Sequence, residues 1–363
     1  MRIYVFGTRG FPNIQGGVEI HCENLYTNMS EDKQIVVFRR KSFLSSKPAP
    51  HYKNITFIDL PSTKIKGVEA FLHSFFCSIW CIFSRPDIIH IHNIGPGIFT
   101  PLLRLFGLKV VVTYHSPNYE HKKWGKFARN ILKSGEVFAT RTANFLLFVN
   151  KTVIDKFSEK IRSKSLFIPN GINKLPIAES SDYIESLSLK RHKYILTVGR
   201  ITQEKGFDYL IEAFLKTSMP LDYKLVIAGG IDHASEYSKQ LLSQADQNKI
   251  IFAGFVDGER LRQLYSFAGL FVLPSYNEGY PLVLIEAINY NLPILASDIT
   301  ANKQIGLPSE SYFPVGNTLE LTNKLMTSLE KDFERVHYSI NLYSWEEIAK
   351  QVETIYEKVV YKS

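Results

Sequence analysis

The sequence predicts an α/β protein of two doubly wound domains. Three observations carry that expectation: short apolar runs that do not alternate recur in both halves, helical patterns separate them, and 363 residues exceed one ordinary domain. Continuous apolar strands with intervening helices indicate parallel sheets covered on both faces.

In the first half the strand-like runs are RIYVF (2–6), IVVF (35–38), ITFIDL (55–60), DIIHIH (87–92), KVVVTYH (109–115), LLFVN (146–150) and SLFIP (165–169). Helical patterns fall at 18–29, 68–85 and about 98–106. The second half repeats the scheme with YILTVG (194–199), KLVIAGG (224–230), IIFAGF (250–255), LFVLPS (270–275) and PILASD (293–298). Between them, 170–192 is polar and irregular and reads as a linker. Ligands of such sheets bind at the carboxyl ends of the strands, and the cleft between the two domains is the expected active site.

Hydrophobic content of 45% and charged content of 21% describe a globular chain. A net charge of +8 suits anionic partners, either nucleotides, lipid surfaces or nucleic acid. The basic residues are dispersed, apart from KKWGKFAR (122–129), which argues against a nucleic-acid stripe. Cys22, Cys77 and Cys81 show no metal-ligand pattern, and a reduced, cytoplasmic setting is expected. The segment VEAFLHSFFCSIWCIFSR (68–85) is interrupted by Glu69 and His73, so a buried helix near a membrane-facing surface is expected, not a span. The start, MRIYVFGTRG, lacks the order of charge, apolar run and cleavage site of a signal peptide.

Four segments offer chemistry. GTRGFPNIQGGVE (7–19) joins a strand to a helix but is not G-x-G-x-x-G; Gly16 and Gly17 at the helix start would let backbone approach an anion. In VGRITQEKG (198–206), Arg200 and Lys205 flank a strand-to-helix loop and suit a diphosphate. In PSYNEGYPLVLIEA (274–287), Pro281 reads as the first helical residue, which leaves the N–H groups of Leu282 and Val283 directed at the cleft. Glu286 shares the face of Leu282, and Glu278 projects from the preceding loop; as acceptors they suit sugar and ribose hydroxyls. Finally, His115 falls at a strand's carboxyl end, whereas His90 and His92 read as structural or supporting residues. No zinc signature or Asp-x-Asp pair points to a bound metal.

These residues resemble a known family. PSYNEGYPLVLIEA, with Glu278 and Glu286, looks like the E-x7-E motif of the retaining group-1 (family 4) glycosyltransferases of GT-B fold. GGVE (16–19), PDIIHIHNIGPG (86–97), IPNG (168–171), VGRITQEKG, AGFVDGERL (253–261) and LPILASDI (292–299) extend the likeness over most of the chain. GTRGFPNIQGGVE with HSPNYEHKKWG most resembles a subgroup building bacterial surface polysaccharides, including O-antigen and capsule.

The resemblance implies an acceptor-side domain over 1–170, joined by a crossing helix at 345–363, and a donor-binding domain over 171–344. It implies that Gly16 and Gly17 approach the donor diphosphate, that Arg200 and Lys205 neutralise it, and that Glu286 holds the ribose. Glu278 would contact the transferred sugar, with Gly279, Tyr280, Pro281, Leu282 and Val283 around sugar and phosphate. Phe255 and Val256 would lie near the base, and His115 near the reacting carbon. Asn118, Tyr119 and Lys123 would stand on the acceptor side. The implied activity is retaining transfer from a nucleotide sugar (UDP- or GDP-linked) to a saccharide acceptor, lipid-linked, without metal or other cofactor. It would take place in the cytoplasm, with possible peripheral membrane contact and no nucleic acid. A GT-B nucleotide-sugar epimerase and a non-catalytic nucleotide-sugar-binding subunit are the alternatives. The family pattern is broken at Asn291, where many relatives carry glycine, and at Gln304, where many carry glutamate.

Overall fold

The computed structural model describes residues 1–44, 50–63, 65, 68–117, 119, 125–174, 176–217, 223–231, 235–245, 249–330 and 332–361. Of the expected acceptor-side residues, Asn118 and Lys123 lie outside this set. The chain forms two compact units, Met1–Gly171 with Tyr343–Ser363, and Ile172–Leu342.

The N-terminal unit holds a seven-stranded sheet of β1 (Arg2–Phe6), β2 (Gln34–Arg40), β3 (Ile55–Leu60), β4 (Ile88–His92), β5 (Val110–Tyr114), β6 (Phe145–Phe148) and β7 (Ser165–Phe167). Every pairing is parallel, in the order β3-β2-β1-β4-β5-β6-β7. Ile3 lies opposite both Ile35 and Ile88, so the strand order reverses between β1 and β4. β4 and β5 are buried at every position, which is why their sequences do not alternate. A tyrosine–histidine contact and a lysine tie the last helix, Trp345–Tyr361, to this unit: the Tyr356 hydroxyl lies 2.6 Å from His90 Nδ1, and Lys109 Nζ donates to the Val360 carbonyl at 2.6 Å. Its start is a capping box, with the Glu347 N–H donating to Ser344 Oγ and the Ser344 N–H to Glu347 Oε2 at 2.7 Å.

The second unit holds β8 (Tyr194–Val198), β9 (Lys224–Ala228), β10 (Ile250–Gly254), β11 (Leu270–Leu273), β12 (Ile294–Ser297) and β13 (Tyr312–Phe313), again parallel, in the order β10-β9-β8-β11-β12-β13. Here the order reverses between β8 and β11. Leu196, Val226, Phe271 and Leu273 fill one side of this sheet with Leu284, Ile285 and Ile288. Each such fully buried side chain contributes about 1.5–3 kcal/mol. β13 is absent from the strands expected, because two residues are too short to show a pattern.

Two expectations are corrected. The polar stretch 170–192 is not a free linker: Ile172, Ala178, Ile184 and Leu189 are buried in the second unit's core, around a short helix, Asp182–Ser186. A few apolar residues at the right positions outweigh a polar average. The helix Val68–Ser84 is also not buried as a whole. Its small and polar residues, His73, Ser74, Cys77, Ser78 and Cys81, face inward. Phe71, Leu72, Phe75, Phe76, Trp80 and Phe83 are exposed instead, Phe83 by 84%. Among the described residues no helix is long and apolar enough to cross a membrane. The three cysteines are free and buried.

Candidate active site

In the second unit the reversal between β8 and β11 opens a crevice at their carboxyl ends, where doubly wound sheets bind ligands. After β8 the chain runs through Gly199 and Arg200 to Gly206, which sits at φ +65° as the cap of the helix Phe207–Leu215. A Cβ at Gly206 would collide with the Pro274 carbonyl, so glycine lets the two loops close on each other. The Tyr276 N–H donates to the Glu204 carbonyl at 2.8 Å, and the Tyr209 hydroxyl to the Pro274 carbonyl. This contact brings Lys205 Nζ to 2.6 Å from Glu278 Oε1. Ser275 Oγ donates to the same oxygen at 2.6 Å. Glu278 is therefore not a solvated loop carboxylate: its side chain is only 11% exposed, and that of Lys205 18%.

The helix carrying Glu286 spans Leu282–Asn289 with Pro281 at its N-cap, one residue outside the expected first helical position. Pro281 has ψ 87°, too extended for the helix, yet its carbonyl already accepts from the Leu284 N–H at 3.0 Å. The first N–H groups, those of Leu282 and Val283, have no intrahelical acceptor. Glu286 Oε2 accepts from the Tyr265 hydroxyl at 2.8 Å. Burial pushes the Glu286 carboxyl above its usual range, and the tyrosine hydrogen bond partly offsets this. Phe255 is exposed and Val256 buried, just past the left-handed Gly254 that ends β10. Asn291 takes φ +53° in place of the family's glycine. The buried amide atoms of Gln304 have no hydrogen-bond partner.

In the N-terminal unit, the loop after β1 is held by Glu19, whose Oε1 accepts from Thr8 Oγ1 and from the Arg9 N–H, both at 3.0 Å. Gly16, at φ +151°, caps the helix Gly17–Thr27, and a Cβ there would strike the Glu19 carboxylate. A Cβ at Gly17 would meet open space. Tyr119 donates its hydroxyl to Glu136 Oε1 at 3.2 Å.

His115 follows β5 and is buried inside a cluster. His92 Nδ1 lies 3.1 Å from His115 Nε2, and the Tyr26 hydroxyl lies 2.7 Å from both His92 Nε2 and His90 Nδ1. His90 Nδ1 is also 2.6 Å from the Tyr356 hydroxyl, and His90 Nε2 is 2.7 Å from Thr113 Oγ1. His21 Nδ1 meets Asn170 Oδ1 at 2.6 Å, and its ring stands edge-on to His115 and Trp345. Burial pushes His21 down to about 4 and His90 to about 3, and holds His92 and His115 well below the usual imidazole range. The four rings are neutral at pH 7.

Sequence reasoning missed Ser275, Tyr265, Tyr26, Asn170 and Tyr356. One signal was available: in HIH, His90 and His92 alternate on a strand and so share one face.

The carboxyl-end crevice, with its cation–carboxylate pair and helix start, agrees with the likeness to known proteins. A model of "Glycosyl transferases group 1" matches residues 181–356, and one of "Glycosyltransferase Family 4" matches residues 15–174. An uncharacterized glycosyltransferase of Methanocaldococcus jannaschii is 25% identical over 390 aligned positions, covering 95% of each chain. The UDP-Gal:alpha-D-GlcNAc-diphosphoundecaprenol alpha-1,3-galactosyltransferase of Escherichia coli is 29% identical, covering 60% of this chain and 59% of that one. Sucrose-phosphate synthase from Thermosynechococcus elongatus shares the fold with a TM-score of 0.79 at 22% identity, covering 100% of both chains. Two parallel doubly wound sheets, each in the half that its model matches, place the chain among the group 1 glycosyltransferases of GT-B fold, with a family 4 N-terminal domain.

Proposed function

We propose that the protein moves a sugar from a UDP- or GDP-linked donor, with retention, to a hydroxyl of a lipid-linked saccharide in the synthesis of a bacterial surface polysaccharide. The observation that carries this reading is the Lys205–Glu278 pair at the reversal of the second sheet, beside the start of the helix Leu282–Asn289. A diphosphate leaving group gains charge as its bond to the sugar breaks. A lysine, an arginine and helix N–H groups already in place stabilise that charge without reorganising.

Lys205 and Arg200 neutralise the phosphates, Glu278 accepts from sugar hydroxyls, and Glu286 accepts from the ribose. Gly279, Tyr280 and Pro281 give backbone to sugar and phosphate, and Phe255 and Val256 flank the base. From the N-terminal unit, Gly16 and Gly17 serve the diphosphate and His115 the sugar; Tyr119 serves the acceptor. No metal enters this scheme. The relative from Escherichia coli, whose name gives a UDP-linked donor and a diphosphoundecaprenol acceptor, supports the substrate classes.

The acceptor class and the exposed aromatic face of Val68–Ser84 support work at the inner face of a membrane. Exposed Phe127 shares a helix, Lys126–Thr142, with Lys126, Arg129 and Lys133, which suits an anionic lipid surface.

Purified protein is incubated with a panel of nucleotide sugars and undecaprenyl-diphosphate-linked acceptors, and the product linkage is read by NMR. Transfer with the donor's anomeric configuration kept supports the proposal. An epimerised donor formed without acceptor indicates the epimerase instead, and donor binding without turnover across the panel indicates a binding subunit. An inverted linkage overturns retention.

A further inference from the structure

The histidine cluster is a continuous chain of hydrogen bonds from the last helix to His115. Its members have few ways to share their protons. Each neutral imidazole carries one N–H, and each tyrosine has one O–H to donate. If the Tyr26 hydroxyl donates to His90, then His92 must donate to Tyr26 from Nε2. His92 Nδ1 would then accept from His115, which leaves the proton on His115 Nε2. If Tyr26 donates to His92 Nε2 instead, His92 carries its proton on Nδ1 and donates to His115 Nε2. His115 then keeps its proton on Nδ1. The two arrangements fix opposite tautomers of His115.

Tyr356 and Thr113 together decide between them. The Tyr356 hydroxyl and that of Tyr26 stand 2.6 and 2.7 Å from the same nitrogen, His90 Nδ1. The two hydroxyls also hydrogen-bond each other, so an N–H at His90 Nδ1 can be shared between their oxygens, whereas a lone pair there puts the proton on Nε2 and leaves the buried Thr113 hydroxyl facing an N–H instead of an acceptor. The N–H arrangement also frees the Tyr26 hydroxyl for His92 Nε2, and lets the Thr113 hydroxyl donate to His90 Nε2 at 2.7 Å. With the Tyr356 hydroxyl donating to the Tyr26 oxygen, every donor then has an acceptor in a region too buried for water to repair a mismatch.

We propose that Tyr26, backed by Tyr356 and acting through His90 and His92, is a positioning residue that fixes His115 as the Nδ1–H tautomer. His115 then meets the donor sugar as a hydrogen-bond donor and not as a base; this last step rests on the transferase reading above. It also gives the last helix a part in the site, because Tyr356 is supplied by that helix.

The test uses the full-length protein labelled with 15N-histidine, with His115 assigned by its loss in His115→Gln. Imidazole 15N shifts report the tautomer directly, whether or not the protein transfers sugar. Wild type should show His115 protonated on Nδ1, and Tyr26→Phe should shift it toward a mixture. Tyr26→Phe should also lower kcat at least about tenfold while leaving the donor KM within about twofold. Tyr356→Phe should act in the same direction, and serves if Tyr26→Phe does not fold. A wild-type Nε2–H tautomer, or His115 shifts unmoved in both variants, overturns the proposal. An unchanged kcat in a variant whose tautomer has shifted overturns the catalytic part. Wild type that transfers no sugar but shows the Nδ1–H tautomer fails the transferase reading alone.

Discussion

Lys205 Nζ stands 2.6 Å from Glu278 Oε1, and the two side chains neutralise each other in a largely buried position at the carboxyl end of the second sheet. The pair links a loop after β8 to a loop after β11, so either partner also holds the other in place. Lys205→Ala should cut transfer about 100-fold, the scale for removing one preorganised charge-stabilising group. Glu278→Ala should cut it as well, and the double variant should lose less than the product of the two single losses. Kinetics of the four proteins in a double-mutant cycle checks this; wild-type rates in Lys205→Ala would sink the phosphate assignment.

Glu286 separates stability from activity. Its carboxyl titrates above the usual range because burial disfavours the charged form. The sign follows: relative to the unfolded chain, its contribution is most favourable below the unfolded pKa and is lost as pH rises through the raised folded value. Above that raised value the ionised side chain is therefore a burden on the fold. Glu286→Gln should melt at or above the wild-type temperature at pH 7, while the donor KM rises about tenfold, about 1.4 kcal/mol. Thermal melts and donor titrations on one preparation read both effects.

Acid should act on the N-terminal unit through its histidines. His21 is pushed down to about 4 and His90 to about 3, mainly by burial. Depressed folded values mean that the stabilising contribution is complete above pH 6.5 and is lost as pH falls through about 4. For His21 alone that loss is about 3 kcal/mol. Melting temperature should be flat above pH 7 and fall steeply between 6 and 4, with a shallower fall in His21→Gln.

The helix Val68–Ser84 should bind lipid through its outward aromatics. Replacing Phe75, Phe76 and Phe83 together by Ser should reduce sedimentation with anionic vesicles about tenfold or more. Transfer to a short-chain, water-soluble acceptor should stay near wild type. Vesicle binding indifferent to the triple substitution, or to anionic lipid, would remove the membrane surface from the proposal.

Metal removal should leave transfer unchanged, since the proposed scheme serves the phosphates with side chains and helix N–H groups. Among the described residues, His21, His92 and His115 offer ring nitrogens within 4.8 Å of one another, a spacing that suits a transition ion. Activity lost with EDTA and restored by zinc would overturn the metal-free reading and point to these three residues.

The sequence by itself determined the architecture. Continuous apolar strands such as DIIHIH and LFVLPS can be satisfied only where both faces are covered, so two parallel sheets follow from local pattern. It also placed Lys205, Glu278, Glu286 and His115 at strand ends and a helix start, because loop position is a matter of order along the chain. Tertiary structure decided the pairings. Tyr265 lies 21 positions before its partner Glu286, Lys205 lies 73 before Glu278, and Tyr356 meets His90 from 266 positions away. No local pattern records such contacts, since they arise where separately formed strands and helices are packed side by side. The same holds for Val68–Ser84: its composition announced an apolar helix, but only packing within the unit turned the small side chains inward and left the aromatics outside.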